Sequence, residues 1–120
     1  MEDPPRIDEV VPAWLTLREV ADRLGVSPNR VRQLVREREL TALRRTGARE
    51  PEVPADFLVD RRIVKGLAGT LTLLADAGYD EEASVRWLFS DDDSLPGAPV
   101  QALRENRGTE VRRRAQALGF

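Results

Sequence analysis

The sequence predicts a mostly α-helical protein: a helix-turn-helix, a small β-hairpin directly after it, and a C-terminal helical half. Three observations lead to this prediction. Helix-capping residues bracket two short amphipathic segments within residues 16–38, and a Gly-containing stretch with short β-type segments follows at 40–53. Apolar residues then recur at helical spacing from residue 63 to the end. A chain of 120 residues is one ordinary domain or two very small ones.

The composition excludes several kinds of site. The chain has neither cysteine nor histidine, so it can form no disulfide, no Cys/His zinc site and no histidine general base. We therefore expect no enzyme, no catalytic residues, no metal site and no cofactor. The start is acidic and Pro-rich, unlike a signal peptide, and no apolar run approaches the roughly 18–20 residues of a membrane span. These features predict a cytoplasmic protein without membrane contact.

Charge is distributed unevenly along the chain. The net charge is −2 overall, but residues 18–49 hold nine Arg against four acids, a local net charge of +5. Residues 1–17 carry −3 and residues 50–120 carry −4. A basic segment between two acidic ones is the pattern expected of a protein that attracts a polyanion through one local surface.

The first 13 residues predict a disordered acidic tail. Pro4, Pro5 and Pro12 oppose helix formation, and the acids have no periodic apolar partners. A second interpretation is that this acidic arm folds back on the basic segment and screens it.

The first helix is predicted from its capping residues. Thr16 and Glu19 have the spacing of a capping box, and Gly25 stands where a helix ends in a left-handed residue. Between them, apolar residues at positions i, i+3, i+4 and i+7 form one face: Leu17, Val20, Ala21 and Leu24.

The second helix follows after a very short turn. Ser27 is an N-cap residue and Pro28 suits the first helical position, with an inward face of Val31, Leu34 and Val35. The three-residue turn, residues 25–27, favours two roughly perpendicular helices. We expect Val26 in that turn to fill the angle between the helices.

Residues 40–53 predict a small hairpin, the wing, with its turn near Thr46 and Gly47. Pro51 cuts the second strand short, because proline cannot donate to a strand ladder. A short helix over residues 54–58 then returns apolar side chains to the core. Residues 14–60 together predict a winged helix-turn-helix domain.

At this point the pattern resembles a known family. The run SPNRVRQLVRERELTALRRTGAREPEVPADFL resembles the excisionase/MerR-like winged helix-turn-helix, with the matching positions Ser27, Leu40, Ala42, Arg44, Gly47, Arg49 and Pro54. From Trp14 onward the whole chain is similar to a small actinobacterial DNA-binding family of this type. The resemblance implies DNA binding. The chain departs from the pattern at residues 50–52, where the second wing strand is acidic and broken by proline.

The outward residues of the second helix fit base recognition. Arginine can pair with guanine, and asparagine or glutamine with adenine, in the major groove of DNA. We predict that residues 28–38 form a recognition helix whose face carries three arginines and no acid. A solvated helix face is the alternative. The predicted DNA-binding residues of helix and wing are Ser27, Asn29, Arg30, Arg32, Gln33, Arg36, Arg44, Arg45 and Arg49.

Residues 61–120 predict a C-terminal helical domain. We expect helices over residues 63–77 and 81–89, a short one from Pro99, and a last one with Thr109 as its N-cap. Three consecutive arginines, residues 112–114, spread around that last helix and cannot form one stripe. A loose resemblance to the toxin-binding module of Xre/MbcA/ParS antitoxins lies in Trp87-Leu88, Leu95-Pro96-Gly97, Pro99, Ala102-Leu103 and Glu110-Val111.

Two functions from different classes follow. The first is sequence-specific binding of double-stranded DNA by a transcriptional regulator or nucleoid-associated factor, which a single small domain would perform as a homodimer or on tandem sites. The second is an antitoxin-like adaptor whose residues 61–120 bind a partner protein.

Overall fold

The computed structural model describes residues 5–119 and is mostly helical, with extents of 37 × 35 × 25 Å. The fold class predicted from the sequence is confirmed. Seven α-helices and four short strands occur in the described residues. The helices are α1 Ile7–Val10, α2 Leu17–Leu24, α3 Pro28–Arg36, α4 Leu67–Asp76, α5 Glu81–Phe89, α6 Pro99–Arg104 and α7 Gly108–Ala117. The strands are β1 Trp14–Thr16, β2 Glu52–Pro54, β3 Leu58–Val59 and β4 Arg62–Ile63.

The caps of α2 and α3 form as predicted. The Glu19 backbone N–H donates to Thr16 Oγ1 over 3.1 Å, and the Thr16 N–H donates to Glu19 Oε1 over 2.9 Å, which completes the capping box. Gly25 ends α2 in the left-handed conformation with φ of 71°, and Ser27 Oγ accepts the Arg30 N–H over 3.1 Å. These local hydrogen bonds fix where each helix begins and ends.

The expectation that Val26 fills the angle between the helices is wrong. The Val26 side chain is 38% exposed. The contact between α2 and α3 is instead made by residues from their inner faces, including Val20, Ala21 and Val31, which are almost completely buried. Val26 therefore lies at the surface of the turn rather than between the two helices.

The wing is held by strand pairing to the N-terminal segment. Strand β2 pairs antiparallel with β1, in a register that sets Trp14 opposite Pro54 and Thr16 opposite Glu52. The first side of the wing forms only a single antiparallel bridge, from Leu43 to Glu52. The turn lies where it was predicted: the Ala48 N–H donates to Arg45 O over 2.9 Å, and Gly47 has φ of +84°.

The predicted disordered tail differs from what the structure shows over residues 5–13. Residues 7–10 form α1, and Val11 is 1% exposed in the core. Arg86 Nη1, on α5, donates to Pro5 O over 2.6 Å. Apolar side chains at positions 7, 10 and 11 give the segment apolar surface to bury, and the four-residue helix fits between Pro5 and Pro12. Residues 1–4 of the predicted tail lie outside the described residues.

The second half also departs from prediction at two helix starts. The helix expected from residue 63 begins at Leu67, because β4 ends at Ile63 and Gly66 has φ of +90°, outside the right-handed helical region. Before this helix, β3 and β4 form a hairpin with a two-residue turn at Asp60 and Arg61, which the sequence patterns did not indicate. Helix α7 begins at Gly108 without a side-chain cap, so Thr109 is not its N-cap.

One buried cluster connects the two halves. The rings of Phe57, in the short 3₁₀ helix Ala55–Phe57, and Phe89, in α5, have centroids 5.7 Å apart. Arg104 Nη1, on α6, donates to the carbonyl oxygens of Asp56 and Leu58 over 3.0 and 2.6 Å. The division of the chain near residue 60 stays a prediction, since core residues from both sides of it share this cluster.

Candidate nucleic-acid interface

The outward face of α3 is exposed along its whole length. Ser27 and every predicted contact residue of the helix are solvent-exposed: Asn29, Arg30, Arg32, Gln33 and Arg36. Burial of Val31 and Leu34 on the opposite side fixes this orientation. Asn29 Oδ1 accepts a hydrogen bond from Arg32 Nη1 over 3.1 Å, so these two side chains brace each other on the surface.

The expectation that the outward face of α3 carries no acid is wrong, because Glu37 lies on that face. Its carboxylate accepts from Gln33 Nε2 over 3.2 Å and lies 3.7 Å from Arg30 Nη1. The spacing of four and seven residues places all three side chains on one helical face, which the sequence could have revealed. Arg30 and Gln33 therefore have an acidic partner, whereas Arg36 makes no ion pair within residues 5–119.

Helix, wing and the start of α2 meet at one surface. A shallow cleft of about 250 Å³ lies between them, and its lining residues are Leu17, Arg32, Val35, Arg36, Ala42, Glu50 and Pro51. The structure thus brings Arg32 and Arg36 of α3 close to Glu50 and Pro51, which precede β2 on the second side of the wing. The same strand side contributes the exposed carboxylate of Glu50, which borders the basic face.

Two of the three wing arginines are exposed. Arg44 Nη2 donates to Arg49 O over 2.8 Å, across the wing. Both side chains otherwise lie at the surface, with no ion pair in the described part of the chain. This hydrogen bond stiffens a wing that has only one bridge between its two sides.

Arg45 is held by groups from distant parts of the chain. Its Nε donates to Asp8 Oδ1 over 2.6 Å and its Nη1 to Glu52 Oε1 over 2.9 Å. The guanidinium carbon lies 5.1 Å from the centre of the Trp14 ring, within cation–π range. The hydrogen bonds to Asp8 and Glu52 raise the pKa of Arg45 above its usual value.

Comparison with known proteins identifies the family. The family described as "DNA-binding protein Rv2175c, wHTH domain" matches residues 5–58, and the "Rv2175c C-terminal domain of unknown function" matches residues 64–119. A curated relative, "DNA-binding protein Rv2175c" of Mycobacterium tuberculosis, is 38% identical over 117 residues, covering 87% of this chain and 79% of the relative. The chain belongs to the Rv2175c family.

A solved structure supports the same assignment. The "NMR structure of Rv2175c" superposes with a TM-score of 0.81 at 35% identity, covering 100% of this chain and 86% of that one. The prediction of a small actinobacterial DNA-binding family is thus confirmed. Both family domains are present in this chain, and the winged helix-turn-helix domain of the Rv2175c family contains the basic face described above.

Two further observations concern the part of the chain that the structure describes. None of the helices between residues 5 and 119 is both long and apolar enough to span a membrane. In the same range, no group of three or more acidic side chains is arranged to hold a metal ion, and this includes the three consecutive aspartates at 91–93.

Proposed function

We propose that this member of the Rv2175c family binds double-stranded DNA in a sequence-specific manner, with α3 in the major groove. The observation that carries the proposal is the exposure of Arg32 and Arg36, four residues apart on one stripe of a helix that directly follows a tight helix-turn-helix turn. Neither side chain is held by a carboxylate within residues 5–119. Both are therefore free to exchange water for guanine O6 and N7.

The remaining residues have different roles in this proposal. Arg30 and Gln33 also read bases, but Arg30 must first break its ion pair with Glu37 and Gln33 its hydrogen bond to the same carboxylate. Asn29 orients Arg32, and the uncovered N–H groups of the α3 N-terminus beside Ser27 face a phosphate. Arg44 and Arg49 hold phosphates through the wing, because exposed arginines on a hairpin supply position and affinity rather than base discrimination.

The wider biological role follows from the same surface. A single recognition helix reads only a few base pairs, so useful specificity requires a homodimer or tandem sites. A transcriptional regulator or nucleoid-associated factor in the cytoplasm, without enzymatic activity, fits a small protein of this kind. The likeness of the wing to excisionase and MerR proteins belongs to the proposal. No observation on residues 61–120 favours the antitoxin-like adaptor.

The test uses the full chain and a duplex obtained by binding-site selection. We expect the double variant Arg32→Ala, Arg36→Ala to bind that duplex at least about 30-fold more weakly, since each arginine–guanine pair contributes about 1–3 kcal/mol and two pairs contribute at least about 2 kcal/mol. Fluorescence anisotropy at roughly physiological salt measures the loss. The matched control is Arg113→Ala, an exposed arginine of α7, which should bind like the wild type. Equal binding by the double variant and the control would contradict the assignment of α3.

A further inference from the structure

The contacts of Arg45 set it apart from the other basic residues of the wing. Two of its nitrogen atoms donate to carboxylates, at 2.6 Å to Asp8 and 2.9 Å to Glu52, and its guanidinium carbon lies over the Trp14 ring. The second carboxylate oxygen of Asp8 lies 3.7 Å from Arg6 Nη2. In this group of four ionised side chains, two arginines face two carboxylates, so Arg45 presents no net positive charge to a phosphate.

The two carboxylates reach Arg45 in different ways. Glu52 is part of the wing itself, since its backbone pairs with both Leu43 and Thr16. Asp8 comes from α1, a separate element 37 residues away along the chain. Glu52 therefore moves with Arg45, whereas the bond to Asp8 can break without disrupting any strand pairing.

Helix α1 is fixed in position at both of its ends. Arg86 Nη1 holds the carbonyl of Pro5 at 2.6 Å, and Val11 is 1% exposed in the core. Asp8 is thus tethered beside Arg45, and a tethered group competes with a free ligand at a high effective concentration. Arg45 remains about one-third exposed, so an incoming anion can reach its unused N–H groups.

We propose that Asp8 is an internal competitor for the DNA phosphate that Arg45 would otherwise bind. In the free protein the Asp8 carboxylate neutralises Arg45, and on DNA binding a phosphate oxygen takes the place of that carboxylate. The contacts of Arg45 with Glu52 and Trp14 hold its guanidinium in place during the exchange. This inference rests on the proposed function, because it needs the wing to approach the DNA backbone.

The first experiment removes the charge of Asp8 and keeps its shape. We expect Asp8→Asn to bind the selected duplex about two- to fivefold more tightly, since a partly exposed ion pair of this kind is weak and its loss frees Arg45 for a phosphate. The matched control is Glu9→Gln, which removes an exposed carboxylate of the same helix that pairs with no side chain within residues 5–119. Binding by Asp8→Asn that equals the control, or is weaker than wild type, would overturn the inference.

The second experiment tests whether Asp8 acts through Arg45. In an Arg45→Ala background, Asp8→Asn should change affinity no more than Glu9→Gln does, whereas an undiminished gain would show a general charge effect and overturn the inference. Thermal unfolding of each variant identifies any loss of fold. If binding-site selection with the wild type yields no duplex that it binds, the proposed function and this inference both fail. If wild type binds and Asp8→Asn shows no gain over the control, only the inference fails.

Discussion

Helices α3 and α7 each carry three arginines, yet the two sets differ in what they contact. The α3 arginines are exposed, and their partners, Asn29 and Glu37, belong to the same short segment. In α7, Arg114 donates to Ser94 Oγ and Ser94 O over 2.7 and 3.1 Å, which ties a loop to the helix. Arg112 lies so close to Gly66 that a Cβ added there would be 3.2 Å from its Nη1.

The number of arginines in a helix therefore says little about DNA binding, whereas their spacing and tertiary contacts say much. Arg32 and Arg36 are four residues apart, so they project from one stripe of α3. Three consecutive arginines are about 100° apart around a helix, so those of α7 point in different directions. Two of them, Arg112 and Arg114, are consequently half-buried, and only Arg113 is exposed.

The largest effect on stability should come from an arginine in the C-terminal half. Arg104 donates to two backbone carbonyls, those of Asp56 and Leu58, and joins α6 to the end of the winged domain. We expect Arg104→Ala to lower the free energy of unfolding by about 2–3 kcal/mol, because hydrogen bonds from charged groups contribute more than neutral ones. Urea unfolding measures this. Arg36→Ala is the control and should change stability by less than about 0.5 kcal/mol.

We also expect Arg104→Ala, measured under conditions in which it remains folded, to bind the selected duplex as tightly as wild type. Weak binding by a fully folded Arg104→Ala protein would contradict the separation between arginines that hold the fold and arginines that bind DNA.

The arginines of the wing and of α7 should also differ in how they affect the salt dependence of DNA binding, and this effect is smaller. With about five to seven phosphate contacts, the logarithm of the binding constant should fall with the logarithm of salt concentration at a slope of about −4 to −6. Arg49→Ala should make this slope shallower by about 1, because one phosphate contact is lost. Arg113→Ala should leave it unchanged. Equal slopes for Arg49→Ala and wild type would mean that the wing does not touch the backbone.

Most of the helix-turn-helix could be predicted because its determinants are local. Thr16, Gly25 and Ser27 act within three or four residues of their own positions, and the structure places their hydrogen bonds where the pattern predicted. Glu37 was equally predictable from its spacing to Arg30 and Gln33, although this face was expected to carry no acid. Helical spacing is visible in any sequence, so this residue could have been found.

The remaining features depend on contacts between distant segments. Asp8 and Arg45 are 37 residues apart, and nothing in either neighbourhood indicates that they meet. The same holds for the pairing of β1 with β2, which turned the residues before α2 into a strand. The late start of α4 had one visible signal, Gly66, which has φ of +90° between the β3–β4 hairpin and the helix.

An NMR titration of the full-length, ¹⁵N-labelled protein with the selected duplex shows directly which helix contacts DNA. We expect the largest changes in backbone amide shifts in residues 27–37, which are α3 and its two capping residues, and in residues 44–49 of the wing. The amides of α7, Gly108–Ala117, should change little, despite the three arginines of that helix. Changes concentrated in α7, with α3 unaffected, would show that α3 is not the DNA-binding helix.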